Sequence, residues 1–266
     1  MFSSKTLLFC SMKRTAIFLF ASLFVTSFSA TVSLAQQNKN FTDSLNSKQL
    51  LVVVTDDWGS LHGTLYTYEK QKGNWVLQFS NPIVVGSKGL GIGDGLVPLS
   101  IDGAPIKKEG DMKAPAGIFT LGTAFGYGDY KDAKWIKARY IKADDTLICV
   151  DDSHSANYNT LIKNDSANGD YKSFEHMHLN AIYYKWGMFV NHNADKPKPG
   201  DGSCIFIHIW GNENEGTEGC TAMKEDDMVK LLHWINARNN PLLAQFPKAE
   251  YAKFAAQYNL PIPGGQ

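Results

Sequence analysis

From residue 50 onward, short apolar runs alternate with turns rich in glycine and asparagine. Runs of this length that are rich in β-branched and aromatic residues are typical of strands. The pattern predicts strands at 51–54, 61–68, 75–85, 118–121, 146–150, 181–191 and 204–210. The glycine-rich stretch at 86–95 predicts a loop, because it has neither the Gly-Lys-Ser/Thr ending nor the following helix of a phosphate-binding loop. The polar stretch at 151–171 predicts a second, long loop.

Two segments near the C-terminus have the pattern of helices. Apolar residues recur at i, i+3, i+4 and i+7 from Met228, the spacing of one helix face. Acidic residues at 225–227 would lie in the first turn, where they complement the helix dipole. A shorter helix is predicted at 248–258. The pattern as a whole predicts a fold that is mostly β with a few helices, in a single β-rich domain at 50–266.

The first 35 residues differ from the rest of the chain. Three cations precede an apolar run at 16–28, and small residues follow up to Ala35. This is the layout of a secretory signal peptide that is cleaved after export. The apolar run is shorter than the roughly 20 residues that a spanning helix needs. We therefore expect a periplasmic or secreted mature chain without stable membrane insertion, which begins with a flexible polar lead at 36–49.

Charge and cysteine content narrow the class of protein. The chain has 26 basic and 26 acidic residues, and removal of the three cations of the signal peptide leaves 23 basic residues against 26 acidic ones. Without a surplus of positive charge, the composition argues against a nucleic-acid binder. Three cysteines remain in the mature chain, so at least one is outside any intramolecular disulfide. Cys204 is expected to be buried or paired with Cys149, and the sequence does not fix which.

The segment at 205–223 contains the residues best suited to chemistry. His208 lies in the apolar run at 205–210, on the opposite face from its apolar neighbours if the run is a strand. Cys220 follows after a loop rich in glycine, asparagine and glutamate. An imidazole beside a thiol can produce the thiolate nucleophile and later protonate a leaving amine. The alternative is a buried apolar cysteine and an unrelated core histidine.

The residues around Cys220 are predicted to support such a site. Gly219 gives the backbone freedom to turn the cysteine outward. Amides between Gly219 and Thr221 are predicted to donate hydrogen bonds to an oxyanion, with Thr217 and Glu218 as further supporting residues.

Four segments resemble one known family. Thr-Glu-Gly-Cys at 217–220, downstream of a strand histidine, resembles the Ser/Thr-His-Gly-Cys signature of the L,D-transpeptidase (YkuD-type) family. The stretch at 107–119 is similar to the family's Gly-Asp-x-Lys-Thr-Pro-x-Gly-x-Phe sequence. Cys-Val-Asp-Asp at 149–152 and Glu-His-Met at 175–177 also resemble family segments. The similarity extends over roughly residues 50–260.

This resemblance implies a β-rich fold with its active site in a groove. Cys220 matches the nucleophile and His208 the general base. The substrate implied is the peptidoglycan stem peptide, cleaved between the L-centre of meso-diaminopimelate and the terminal D-Ala. Transfer of the acyl group to an amine gives a 3→3 cross-link, without a cofactor, and carbapenems are expected to acylate the cysteine. The alternatives are hydrolysis, by an L,D-carboxypeptidase or an amidase, and a non-catalytic wall-binding protein.

Two positions depart from the family signature, and two further residues are candidates for the substrate site. Glu218 stands where most members have histidine, and Ala222 stands where many have arginine or asparagine, which weakens anchoring of the donor peptide. His176 and Trp210 are predicted to line the substrate site. A metal site is not predicted, because the histidines near His176 lack the His-Glu-x-x-His or Cys-x-x-Cys spacing of zinc ligands. The oligomeric state is not predicted.

Overall fold

The computed structural model describes residues 41–164 and 169–264. The predicted signal peptide lies outside these residues. In the described part, the strands are β1 (Gln49–Thr55), β2 (His62–Gln71), β3 (Asn74–Val84), β4 (Leu90–Ile92), β5 (Ala114–Gly126), β6 (Tyr140–Lys142), β7 (Leu147–Val150), β8 (Leu161–Lys163), β9 (Phe174–His176), β10 (Trp186–Val190), β11 (Phe206–Ile209), β12 (Thr221–Met223) and β13 (Leu242–Pro247). The helices are α1 (Phe41–Ser44), α2 (Glu225–Trp234) and α3 (Lys248–Tyr258). The predicted class, mostly β with a few helices in one β-rich domain, is confirmed.

Most strands belong to one large sheet that closes on itself. Its strands follow the order β10-β11-β12-β3-β2-β1-β13-β5-β4, and β10 pairs with β5 as well as with β11. This second pairing closes a ring of strands, because β10 then has a neighbour on each side. Strands β8, β7 and β9 form a separate three-stranded sheet. β11 and β12 run parallel, which brings their N-terminal ends to the same edge of the ring.

Two hydrophobic clusters hold these layers together. The larger one packs the apolar faces of the ring against α2 and α3, and buries Met228 and Leu231 completely. The smaller one joins the three-stranded sheet to the ring, and it contains Tyr184, Phe206 and Cys220. Cys220 therefore lies at the junction of the two sheets, in a region whose packing restricts its position.

The structure differs from the sequence predictions in several elements. The predicted loops at 86–95 and 151–171 each contain a short strand, β4 and β8, because pairing with β5 and β7 satisfies their backbone groups. The strand predicted at 181–191 begins only at Trp186. The strand predicted at 204–210 begins only at Phe206, since Cys204 has a left-handed backbone with φ of 53°.

Part of the predicted flexible lead is folded. Residues 41–44 form α1, and the Phe41 ring packs edge-on against Tyr258 of α3 with ring centroids 5.3 Å apart. Asn240 donates hydrogen bonds to the carbonyls of Leu45 and Asn46. The prediction of a flexible lead is therefore wrong for residues 41–49, because the composition of this segment does not reveal the aromatic anchor at its start.

A disulfide joins the three-stranded sheet to the chain that enters β11. Cys149 of β7 is bonded to Cys204, 55 residues away along the chain. Such a bond restricts the unfolded chain over a long loop, which is the main way in which disulfides stabilise proteins. It also fixes Cys204 beside Cys220, the free cysteine of the described residues.

Removal of this disulfide is expected to lower the free energy of unfolding by about 2–4 kcal/mol. Urea unfolding of the wild-type chain should shift to lower urea when a reductant is added. The double variant Cys149→Ser/Cys204→Ser is the matched control, and its midpoint should not move with reductant. Equal stability of the oxidised wild type and the double variant would contradict a stabilising role for the bond.

Candidate active site

Neighbouring parallel strands bring Cys220 and His208 to one cavity. His208 lies in β11, and Cys220 immediately precedes β12, in which Ala222 is the partner of His208. Both side chains line a cavity of about 670 Å³ between the ring and the three-stranded sheet. Cys220 is 8% exposed and His208 is 7% exposed, so each meets solvent only through this cavity. The structure thus brings the two predicted catalytic residues together.

The turn before Cys220 is held by Thr217. Its hydroxyl donates to the Cys220 carbonyl at 2.7 Å and accepts from the Gly219 amide at 3.1 Å. Gly219 has a φ of 147°, and a Cβ there would lie 3.1 Å from the Lys113 carbonyl oxygen. A glycine is therefore required on both conformational and steric grounds. Thr217, Glu218 and Gly219, which were predicted to support the site, all line the cavity.

Thr221 occupies a different environment from the other supporting residues. It is buried, and its hydroxyl donates to Gln245 Oε1 of β13 at 2.7 Å. Gln245 in turn donates to the Pro115 carbonyl. The side chain of Thr221 therefore ties β12 to the interior of the ring, away from the cavity. Ala222, where many family members have a longer polar side chain, is fully buried as well.

His208 is held as a neutral imidazole. Its Nδ1 lies 2.8 Å from the carbonyl oxygen of Ile209, which can only accept a hydrogen bond. The proton is therefore on Nδ1, and Nε2 keeps a free lone pair. Burial lowers the pKa of His208 to about 4, although the Ile209 carbonyl acts in the opposite direction. The ring of Tyr184 packs edge-on against the imidazole, with centroids 5.1 Å apart, and restricts its rotation.

The thiol of Cys220 is held by backbone groups beside the histidine strand. Its Sγ accepts a hydrogen bond from the Phe206 amide at 3.2 Å and donates to the Cys204 carbonyl at 3.6 Å. Burial raises the pKa of Cys220 well above its ordinary value, and the carboxylates of Glu175 and Glu218 raise it further. The resting pair is therefore a neutral thiol and a neutral imidazole. The sequence pattern alone had indicated a thiolate, because it contains no information on burial.

Five of the described side chains that line the cavity carry carboxylates. Glu109, Asp151, Glu175, Glu215 and Glu218 all line the cavity. Burial raises the pKa of Glu175 to about 7, although the hydroxyl of Tyr184 donates a hydrogen bond to this carboxylate and opposes the shift. The nearby carboxylates raise it further. Glu175 therefore changes charge near neutral pH.

This raised pKa makes stability depend on pH. A carboxyl whose pKa rises on folding stabilises the fold fully below its unfolded value of 4.5, and that contribution is lost as the pH rises through about 7. The variant Glu175→Gln keeps an acceptor for Tyr184 but cannot ionise. Between pH 5 and 8, the wild type should lose on the order of 2 kcal/mol more unfolding free energy than the variant, measured by urea unfolding. If the unfolding free energies of the two proteins changed with pH in parallel, Glu175 would be excluded as a buried carboxylate with a raised pKa.

The two predicted substrate-lining residues have different positions. Trp210 lines the cavity. His176 is exposed and packs against Phe174 at 5.1 Å between ring centroids, outside the cavity wall. Its neighbour Glu175 reaches the cavity instead, because successive side chains of β9 point to opposite faces. Among the described residues, no cluster of three or more His, Cys, Asp and Glu side chains is arranged to hold a metal ion.

Sequence reasoning missed three residues that the structure brings to the cavity. Lys107, Glu175 and Tyr184 all line it. Lys107 and Glu175 stand in segments that resemble the family, which is the one signal that pointed to them. Tyr184 was predicted only as part of a strand. Its aromatic ring packs between Phe125, Phe206 and His208, which a linear pattern does not reveal.

The fold and the cavity thus define a β-rich domain with a buried cysteine and a buried neutral histidine in one cavity. Residues 52–243 match the family model of the YkuD L,D-transpeptidase catalytic domain. Because this match covers more than half of the chain, the protein belongs to the YkuD L,D-transpeptidase family, as the sequence motifs had indicated.

Comparison with individual proteins adds little to this family assignment. No curated protein matches the chain. Among solved structures, one of Bdellovibrio bacteriovorus Bd1075 is similar, with 14% sequence identity and a TM-score of 0.40. That similarity covers 80% of this chain and 55% of the other, so the chain spans about half the length of that protein.

Proposed function

We propose that the protein is an exported cysteine L,D-transpeptidase that acts on peptidoglycan tetrapeptide stems. The observation that supports the proposal is that Cys220 shares one cavity with a histidine whose Nδ1 is occupied by the Ile209 carbonyl. Nε2 of His208 is then the basic atom at the cavity, which is what a general base for the thiol requires. The cavity volume of about 670 Å³ is in the range of ligand sites and accommodates an extended peptide segment.

The proposed reaction begins with transfer of the thiol proton to Nε2 of His208. Sγ then attacks the carbonyl that joins the L-centre of diaminopimelate to D-Ala. The backbone amide of Cys220 donates a hydrogen bond to the resulting oxyanion, since the amide of Gly219 already donates to Thr217. As the intermediate collapses, the amide C–N bond breaks, and His208 returns its proton to the D-Ala nitrogen. A thioester on Cys220 remains.

The second half of the reaction regenerates the thiol. An amine of a second stem peptide gives up a proton to Nε2 and attacks the thioester carbonyl. The C–S bond breaks, Cys220 recovers its proton from His208, and a new amide is released as a 3→3 cross-link. A neutral resting pair suits both halves, because the histidine can accept a proton at the start of each.

Two observations support export. The sequence at 1–35 has the layout of a signal peptide. The disulfide between Cys149 and Cys204 is of the kind that persists in oxidising compartments such as the periplasm. In the described residues, no helix has the length and hydropathy needed to cross a bilayer.

Mass spectrometry of the purified protein incubated with a disaccharide-tetrapeptide tests the reaction. A 3→3 cross-linked dimer together with free D-Ala is the expected result. A donor that ends in L-Ala is the matched control and should give no product. Formation of tripeptide alone would replace transpeptidation with hydrolysis. Absence of both products, and of a covalent carbapenem adduct on Cys220, would refute the enzyme proposal in favour of a wall-binding protein.

A further inference from the structure

Lys107 is a buried cation in the wall of the catalytic cavity. Its side chain is only 3% exposed, yet it lines the same cavity as Cys220 and His208. Its Nζ lies 3.6 Å from the point that a Cβ of Gly219 would occupy. The ammonium therefore lies directly beside the turn that presents the thiol. Its positive charge lowers the pKa of Cys220, in opposition to the effect of burial.

The hydrogen bonds of this ammonium are incomplete within the protein. Nζ donates to the carbonyl of Lys108 at 2.7 Å and to Asp111 Oδ1 at 2.6 Å. An ammonium has three donors, so one N–H remains after these two acceptors among the described residues. A buried donor without an acceptor is costly, and here the free donor is at a cavity wall where a ligand can satisfy it.

The charge of Lys107 is only partly neutralised by its ion pair. The same Asp111 carboxylate also accepts hydrogen bonds from the backbone amides of Lys108 and Lys113. Its negative charge is thus shared among three donors. The ammonium keeps the capacity to bind a second anionic group, and a charge-assisted hydrogen bond in a buried site is among the stronger ones.

We propose that Lys107 binds the free C-terminal carboxylate of the donor peptide, and so selects donors whose scissile bond precedes a terminal residue. This inference rests on the proposed function, because it assigns a binding role within the same cavity. Among the described residues that line the cavity, Lys107 is the only lysine or arginine. The other charged groups there are carboxylates that repel an anionic terminus. Among these charged groups, only Lys107, next to the thiol, attracts the terminal carboxylate of the donor.

The position beside Gly219 agrees with this role. A donor whose carbonyl is attacked by Sγ carries its terminal carboxylate one residue further, on the leaving D-amino acid. Fully extended, one residue spans at most about 3.6 Å. So short a leaving group requires a cation beside the turn that carries the nucleophile. A cation in a distant part of the cavity would not meet this requirement.

Donor peptides with different C-termini test the proposal on the unmodified protein. A tetrapeptide stem that ends in a carboxylate should acylate Cys220 with a KM about 10- to 100-fold lower than that of its C-terminal carboxamide. In Lys107→Met, the carboxylate donor should lose this advantage, and the two donors should become equivalent. Lys107→Arg should retain part of the preference. Lys108→Met removes the same charge from the adjacent exposed residue, and should leave the preference intact.

A second measurement separates this inference from the proposed function. Alkylation of Cys220 by iodoacetate, which is anionic, is compared with alkylation by neutral iodoacetamide. A change in the pKa of the thiol affects both reagents equally. The ratio of the iodoacetate rate to the iodoacetamide rate therefore reports only on the local cation. The ratio should fall about 10-fold in Lys107→Met and stay constant in Lys108→Met.

The outcomes are distinguishable. If the wild type forms no product from any stem peptide, but the alkylation ratio falls in Lys107→Met alone, the proposed reaction fails and the anion site stands. If the ratio is unchanged, or falls equally in both variants, the carboxylate site is overturned. A loss of kcat in Lys107→Met that is equal for carboxylate and carboxamide donors also overturns it, since the lysine then acts on the reacting atoms or on the fold.

Discussion

Replacement of Cys220 by serine is expected to lower the rate of acyl-enzyme formation by at least about 10⁴-fold. An alcohol is far less acidic than a thiol, so transfer of its proton to His208, whose pKa is lowered to about 4, is much less favourable. Serine is the informative substitution because its oxygen can still accept a hydrogen bond from the Phe206 amide, as Sγ does. Alanine would leave that buried N–H without a partner and would confuse a chemical effect with a structural one.

The measurement is intact-protein mass spectrometry after incubation with a carbapenem or a tetrapeptide donor. The wild type should gain the mass of one acyl group, and the serine variant should gain none over the same time. Its free energy of unfolding should stay within about 1 kcal/mol of the wild-type value, which urea unfolding checks. A variant that is acylated at a wild-type rate would exclude Cys220 as the nucleophile.

The placement of Cys220 and His208 at one cavity could be predicted from the sequence, because it depends on local rules. Strand alternation sets the face of His208, and a glycine before Cys220 marks the turn that exposes it. Pairing of β11 with β12 then needs only one parallel register to bring both side chains to one cavity. The family resemblance selected this interpretation over the alternative of two unrelated buried residues.

The rest of the site depends on contacts between distant parts of the chain. Lys107 reaches the cavity from the segment before β5, Glu175 from the three-stranded sheet and Tyr184 from the turn before β10. A local sequence pattern does not show that residues so far apart along the chain meet in one cavity. His176 illustrates this limit of local patterns. The segment that resembles the family does contain a cavity residue, but that residue is Glu175 and not His176. In a strand of only three residues, the sequence did not show which side chain faces the cavity.

Prediction of the fold shows the same difference between features set by local sequence and features set by contacts between distant residues. The long strands β1, β2 and β3 were predicted, whereas β13 was not. Its sequence contains Gln245, a polar residue that suggests exposure. In the structure this side chain is fully buried, since Thr221 and Pro115 satisfy its amide. A hydropathy pattern cannot anticipate a polar residue whose partners lie on two other strands.

Replacement of His208 by asparagine is expected to lower the acylation rate by about 10³-fold without unfolding the protein. The amide nitrogen of asparagine can take the place of Nδ1 and donate to the Ile209 carbonyl. The variant lacks an atom at the position of Nε2, so the base is lost while the local hydrogen bond is kept. Stopped-flow acylation by a carbapenem, with unfolding measured in parallel, checks both parts of this expectation.

The pH dependence distinguishes a lost base from a lost contact. Because the pKa of His208 is lowered to about 4, its neutral form persists as the pH falls, and the base is lost only near that value. This limb is best observed in Glu175→Gln, which removes the carboxyl whose pKa is raised to about 7. There, acylation should hold between pH 8 and about 5 and fall below it. Adding His208→Asn should abolish that plateau, since the thiol must then ionise unaided and the rate should rise with pH throughout. Identical profile shapes with and without the histidine would exclude it as the base, whatever the size of the rate loss.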